Sequence, residues 1–66
     1  MKDKKEQPMT TGEAADLLGL DKRTLDNMRS DSRGPAYLKL SGRAIRYLYA
    51  DVIAYRDGKR IEPVNN

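Results

Sequence analysis

The side chains of this sequence that are best suited to chemistry lie between positions 22 and 30, where basic, amide and carboxylate groups surround two apolar residues. Leu25 and Met28 are three residues apart, which is the spacing of neighbours on one face of a helix. If this pair faces a core, the 3.6-residue helical period turns the polar side chains outward. The outward set is Lys22, Arg23, Asp26, Asn27 and Ser30.

These side chains suit hydrogen bonding to nucleotides. Arg23 matches the paired acceptors of a guanine, Asn27 matches the edge of an adenine, and Lys22 suits a phosphate. Asp26 leaves two interpretations open, because it could accept from a cytosine amino group or pair with Lys22 or Arg29 within the helix. Arg29 lies nearer the inner edge of the helix, where it could brace the following loop or reach a phosphate.

A first helix of about Thr11–Leu18 is predicted just before this stretch. Thr10 is a good N-cap, and Glu13 three residues later completes a capping box in which each side chain accepts from the backbone of the other residue. Gly19 follows the last apolar residue of the helix, where a left-handed residue is favoured. These signals define both ends of the helix.

A second helix of about Lys22–Ser30 carries the polar face. Asp21 is predicted to cap it, and the charge of Asp21 suits the positive end of the helix. Only about three residues separate the two helices, so they must cross steeply and pack closely. The small side chain of Ala15 allows that approach. The spacing is typical of a DNA-binding helix-turn-helix, and the alternative is a plain helical hairpin with a glycine cap.

A β-hairpin is predicted after a loop that is rich in turn residues. Residues 37–40 alternate, with Leu38 and Leu40 on one side, and the β-branched and aromatic residues 44–49 form a second strand. The turn lies at 41–43. A two-stranded hairpin is marginal alone, so it must pack on the helices. Basic residues mark this hairpin, which therefore resembles a wing: Lys39, Arg43 and Arg46.

The wing has its own predicted contacts with a duplex. Arg43 at the tip is the best candidate for insertion into a narrow minor groove. Lys39 and Arg46 suit backbone phosphates. The alternative for each residue is an exposed charge that only keeps the protein in solution.

A third helix is predicted at 50–57, ended by Gly58. The domain would then span residues 9–58, between an unstructured N-terminal tail at 1–8 and a flexible C-terminal tail at 59–66.

Because the chain lacks Phe and Trp, the tyrosines at 37, 47 and 55 are expected to fill the core with their hydroxyls in water, and Tyr49 is expected at the surface.

Composition limits the classes of function. The chain has 66 residues, which is one domain, and a net charge of +3. Residues 21–46 carry seven basic and three acidic residues, or 7 − 3 = +4, which is either a nucleic-acid footprint or a solvated surface. With no histidine, no cysteine and no glycine-rich phosphate loop, we expect no enzyme, no metal and no cofactor. The lack of a long apolar run or signal peptide predicts a cytoplasmic protein with no membrane contact.

Short motifs follow one another in an order that resembles a known family. They are T-x-x-E-A-A-D-L-L-G-L at Thr10–Leu20, R-T-L at Arg23–Leu25, R-G-P-A-Y at Arg33–Tyr37, G-R at Gly42–Arg43, R-Y at Arg46–Tyr47 and D-V-I-A-Y at Asp51–Tyr55. Together they are similar to excisionases and AlpA-type phage regulators, and more distantly to the DNA-binding domain of MerR regulators. Two departures are Met28, where many relatives have an aromatic residue, and Asp26, which makes the helix less basic.

The resemblance implies an α+β fold, a winged helix-turn-helix with three short helices and a two-stranded hairpin wing. It implies a bacterial mobile-element protein, an excisionase (recombination directionality factor) that bends attachment-site DNA and directs an integrase to excision. Its expected partners are double-stranded DNA, a tyrosine or serine integrase and neighbouring copies of itself on DNA. The alternatives are an AlpA-type transcription regulator and a small protein-docking adaptor that uses residues 59–66.

Overall fold

In a computed structural model, which describes residues 7–63, the chain folds as three helices and one antiparallel hairpin. The elements in chain order are α1 (Thr11–Leu18), α2 (Lys22–Ser30), β1 (Leu38–Ser41), β2 (Ala44–Arg46) and α3 (Tyr49–Gly58). This is the predicted α+β, winged-helix arrangement. Most of the predicted N-terminal tail and the last three residues of the C-terminal tail lie outside the described residues.

Helix α1 is defined by local contacts at both of its ends. The Thr10 hydroxyl accepts from the Glu13 N–H at 3.2 Å, and a Glu13 carboxylate oxygen accepts from the Thr10 N–H at 2.9 Å. At the other end Gly19 is left-handed, with φ of 72°. Its N–H donates to the Asp16 carbonyl at 3.1 Å, and the next N–H, of Leu20, donates to the Ala15 carbonyl at 2.8 Å. The predicted capping box and glycine cap are both confirmed.

Helix α2 begins as predicted at Lys22, but the expected side-chain cap is wrong. Asp21 occupies the N-cap position, and its carboxylate accepts no capping hydrogen bond. Its backbone carbonyl instead accepts from the Leu25 N–H at 3.1 Å. Asp21 is exposed, so water can hydrate both its carboxylate and the free N–H groups of the first turn.

The core lies where α1, α2, α3 and the end of the hairpin meet. Its fully buried side chains are Ala14 and Ala15 from α1, Leu25 from α2, Val52 from α3 and Tyr47. The two alanines let α2 approach the α1 backbone closely, as the spacing predicted. Half-buried apolar residues complete the cluster: Met9, Leu17, Leu18, Leu20, Met28 and Ile45.

The hairpin turns at Gly42 and Arg43, within the predicted tip. Its strands pair in the register Leu38 with Arg46, Lys39 with Ile45 and Ser41 with Ala44. Leu40 is therefore an extra, unpaired residue on β1. Such a bulge breaks the alternation of side chains, so the predicted placement of Leu40 beside Leu38 fails, and Leu40 is largely exposed.

Strand β2 is shorter than the predicted strand at 44–49. After Arg46 the backbone of Tyr47 leaves β1 and pairs with Met9 through two hydrogen bonds of 2.7 Å. Leu48 is already the N-cap of α3, which begins at Tyr49. Met9, near the start of the domain, thus pairs with Tyr47 where a longer hairpin would have continued.

The predicted end of α3 also differs in the structure. Gly58 is the last helical residue and not a left-handed cap, and Lys59 follows at the C-cap with φ of −95°. The Lys59 N–H donates to the Arg56 carbonyl and the Arg60 N–H donates to the Asp57 carbonyl, so the helix closes without a left-handed residue. Residues 60–63 have no regular structure.

The burial of the tyrosines differs from the prediction. Tyr47 is buried, but its hydroxyl is not in water, because it accepts a hydrogen bond from Arg29. Tyr37, predicted in the core, is instead 44% exposed. It lies against the Tyr47 ring, with 6.0 Å between centroids. Tyr49 and Tyr55 are both half-buried. Among residues 7–63, no helix is long and apolar enough to cross a membrane.

Candidate nucleic-acid interface

Helix α2 presents a polar face that is opposite its buried side. Leu25 is fully buried and Met28 is half-buried against the core. The predicted outward residues lie on the other side of the helix. Lys22, Arg23, Asn27 and Ser30 are exposed, and Asp26 is half-buried. The structure therefore brings the predicted residues onto one helix face, as the period required.

Asp26 forms ion pairs with cations one turn away on both sides. Its Oδ2 accepts from Lys22 Nζ at 3.0 Å, and its Oδ1 accepts from an Arg29 guanidinium nitrogen at 2.8 Å. The hydrogen bond from Lys22, followed by that from Arg29, holds the pKa of the Asp26 carboxyl below its usual value. Of the two interpretations of Asp26, the intrahelical pair is the one that the structure contains, and it involves both cations.

Arg29 connects α2 to the rest of the fold. Its Nη1 donates to the Tyr47 hydroxyl at 3.0 Å and to the Thr11 hydroxyl at 3.3 Å, while Nη2 donates to Asp26. The guanidinium also lies over the Tyr37 ring, 5.8 Å from its centroid. The hydrogen bond to Tyr47 raises the pKa of Arg29 further, although partial burial opposes this.

Arg29 thus connects α2 to Thr11 and Tyr47, and not only to the loop that follows α2. Its side chain is only 21% exposed, which leaves little of the guanidinium open to a phosphate; a phosphate contact stays a prediction. Sequence reasoning missed Thr11 and Tyr47 as its partners. Each lies 18 residues from Arg29, so no helical or strand period links them and the sequence carries no local signal for either contact.

The wing is basic over its whole length. Its basic residues are Lys39, Arg43 and Arg46, and no acidic residue lies between Ser32 and Ala50. Arg33, in the loop before the wing, pairs with Asp31 at 3.4 Å. Lys39 and Arg43 are exposed, with Arg43 in the turn beside the left-handed Gly42. Arg46 is half-buried, and its Nη1 donates to the Ile45 carbonyl at 2.7 Å. The positive charge of this hairpin is complementary to the negative charge of a nucleic-acid backbone.

The three helices and the antiparallel hairpin define a protein of the winged helix-like class. A family described as "Helix-turn-helix domain" matches residues 8–60, which is most of the chain. The chain belongs to this Helix-turn-helix domain family. Domains of this class bind DNA and are typically not enzymes. No curated protein and no solved structure matches the chain significantly.

Proposed function

We propose that this protein binds a preferred duplex sequence and acts as an excisionase, bending attachment-site DNA so that an integrase is directed to excision. The observation that carries the proposal is a polar face on α2 joined through Arg29 to a basic wing. A duplex held by both elements is contacted at two points, and contacts of this kind can repay the energy that bending costs. The family to which the chain belongs includes excisionase and AlpA-like proteins.

The roles of the α2 residues follow from the geometry of recognition helices. The N-terminal part of such a helix meets base edges in the major groove. Arg23 hydrogen bonds to a guanine and Asn27 to an adenine. Lys22 and Ser30 contact phosphates. All four side chains are exposed in the unbound protein, so none needs to leave the core before DNA binds.

The wing contacts the flanking DNA. Arg43 enters a narrow minor groove, where the negative potential is strongest, and Lys39 and Arg46 contact the phosphates on either side. Gly42 at φ of 47° makes the tight turn that presents Arg43 at the tip. Adjacent copies on one duplex would add their individual bends, which would bring distant integrase sites together.

Selection from a random pool of duplexes tests sequence preference without a binding site chosen beforehand. We expect one enriched motif, bound with an affinity that falls steeply as salt rises, because phosphate contacts release counterions. The enriched motif is then placed in circularly permuted fragments, where bending changes the mobility of the complex with position. Absence of an enriched motif would contradict sequence-preferring binding.

Excision itself needs a second assay. Attachment-site plasmids are incubated with the tyrosine or serine integrase of the same element, with and without this protein. Stimulated excision and bent DNA together support the excisionase assignment. Straight DNA in the saturated complex, without stimulation, would favour the AlpA-type transcription regulator, which uses the same α2 contacts at a promoter.

A docking role for the C-terminal segment is the other alternative. Ile61 is almost fully exposed between Arg60 and Glu62, and an exposed apolar residue next to charges suits contact with a protein partner such as the integrase. Ile61→Ser separates the two roles. It should leave duplex binding unchanged and lower only the stimulation of the integrase, whereas an adaptor that does not bind DNA would show no salt-dependent duplex affinity at all.

A further inference from the structure

We propose that Asp26 determines specificity without reading a base: anchored to the fold by Arg29, it holds Lys22 in place and cancels positive charge that would otherwise attract any duplex. The inference rests on the proposed contact between α2 and DNA, and it assigns a role to the residue that least resembles a DNA contact. A carboxylate on this face would otherwise only weaken binding, because it repels phosphates.

The first support is a continuous series of hydrogen bonds from the core to the surface. Tyr47, which is 1% exposed, accepts from Arg29 at 3.0 Å. Arg29 donates to Asp26 at 2.8 Å, and Asp26 accepts from Lys22 at 3.0 Å. Lys22 is 65% exposed at the first residue of α2. The position of a flexible surface lysine is therefore set by a buried tyrosine.

The second support is that Asp26 is poorly placed to read a base. Each of its carboxylate oxygens already accepts a hydrogen bond from a cation, so donor and acceptor are both charged, whereas a cytosine amino group would be a neutral donor. A rotation towards a base would also remove the carboxylate from Arg29, whose side chain is only 21% exposed. Breaking a pair that is partly withdrawn from water leaves a costly unpaired charge.

The third support is the charge of the face. Lys22 and Arg29 contribute +2 and Asp26 contributes −1, so the three side chains sum to +1. Every extra cation on a DNA-binding face strengthens binding to all sequences alike. Asp26 therefore lowers the sequence-independent part of the affinity. This subtraction alone lowers both affinities equally, so the ratio of specific to non-specific affinity rises only because Lys22 is held in place. A released Lys22 would find a phosphate on any duplex, whereas the base contacts of Arg23 and Asn27 already fix the position of the preferred one.

The test compares Asp26→Asn with the wild-type full chain on two probes. One is the duplex enriched from the random pool, and the other is a scrambled duplex of the same length and composition. We expect the variant to bind the scrambled duplex several-fold more tightly and the enriched duplex with a smaller gain or a loss. The slope of log affinity against log salt should steepen by up to about 0.9, equivalent to one additional phosphate contact.

A matched control removes the same charge elsewhere. Asp57 pairs with Arg56 at 3.4 Å on the exposed side of α3, and Asp57→Asn changes the net charge equally. If Asp57→Asn lowers the specificity ratio as much as Asp26→Asn, the effect is bulk charge and the inference is overturned. An equal change on both duplexes by Asp26→Asn also overturns it. Loss of discrimination at one base pair alone would mean that Asp26 reads that base.

A second variant tests the anchoring without a change of charge. Tyr47→Phe removes the hydroxyl that fixes Arg29 and keeps the buried ring. It should lower the specificity ratio while leaving the salt slope unchanged, with folding verified by helical circular dichroism. An unchanged ratio in folded Tyr47→Phe would overturn the anchoring role. If the pool yields no preferred duplex, the proposed function itself fails and this inference fails with it, whereas the other outcomes reject the inference alone.

Discussion

The Tyr47 hydroxyl accepts a 3.0 Å hydrogen bond from the Arg29 guanidinium, across 18 residues of sequence. Tyr47 directly follows the second strand of the wing and belongs to the core, while Arg29 belongs to the helix that carries the polar face. The bond therefore links the two surfaces that we propose contact DNA. It also gives a partner to a buried hydroxyl and to a largely buried cation, both of which would be costly to leave without one.

Loss of this bond should destabilise the domain. Tyr47→Phe leaves the guanidinium with one partner fewer in a partly dehydrated site, and hydrogen bonds to charged groups contribute about 1.5–3 kcal/mol. We expect a lower midpoint in urea unfolding. The control is Tyr37→Phe, which keeps the ring over Arg29 and removes a hydroxyl from a residue that is 44% exposed. Equal midpoints for the two variants would contradict the assigned role of the bond.

Leu25 should be the most sensitive core position of α2. Its side chain is fully buried, and Leu→Ala at such a site costs about 2–5 kcal/mol, comparable with the whole stability of a small domain. Leu25→Ala is expected to be largely unfolded at moderate temperature by circular dichroism. Leu18→Ala, at a half-buried site, should cost less, and Leu40→Ala on the exposed wing should change the melting midpoint little. A midpoint that is unaffected by Leu25→Ala would mean that α2 faces differently.

The ion pairs of Asp26 should make part of the stability depend on pH. Its pKa is lowered in the folded protein from the ordinary value of 3.8, so the folded state favours the charged carboxylate. The resulting stabilisation is present above about pH 4 and is lost as pH falls through the folded pKa. Because the group is partly exposed, solvent screening limits the effect to roughly 1 kcal/mol or less.

Urea unfolding of wild type and Asp26→Asn across a pH series measures this contribution. We expect the wild type to be the more stable at neutral pH and the difference to vanish in acid, where Asp26 is protonated in both states. A difference that is the same at neutral and strongly acidic pH would show that it does not arise from the charge of the carboxylate.

Substitutions on the polar face of α2 should distinguish base contacts from phosphate contacts. Arg23→Ala and Asn27→Ala are each expected to cost about 1–3 kcal/mol on the enriched duplex and to relax its sequence preference. Lys22→Ala should weaken binding to the enriched and scrambled duplexes alike, with a reduced salt slope. Competition binding with both probes measures this. If Arg23→Ala and Lys22→Ala change the affinity for the two duplexes identically, the assignment of Arg23 to a base and Lys22 to a phosphate is wrong.

The wing tip should act on the flanks and not on base preference under α2. Arg43→Ala is expected to lower both the affinity and the bend angle on A·T-rich flanks, because the guanidinium no longer enters the narrow groove. Arg56→Ala, which removes an exposed arginine from α3, is the matched control and should leave the bend unchanged. Circular-permutation mobility measures the angle. A bend angle that Arg43→Ala does not alter would remove the wing tip from the bending mechanism.

Much of the fold could be predicted from the sequence alone, because it depends on interactions between residues within about four positions of each other. The capping box of Thr10 and Glu13, the left-handed Gly19 and the outward face of α2 all follow from side chains and backbone groups one turn apart. The wing turn at Gly42 is local in the same way. These features were predictable because the chain brings such neighbours together whatever else it contacts.

Only the tertiary structure decided the features that join distant segments. Met9 pairs with the Tyr47 backbone and so ends β2 early, and Tyr47 rather than solvent is the partner that draws Arg29 inward. Tyr37 is displaced to a half-exposed position against both of them. The physical reason is that hydrogen-bond partners far apart in sequence are chosen by burial, since a polar group withdrawn from water must bond to whatever the packed fold places beside it.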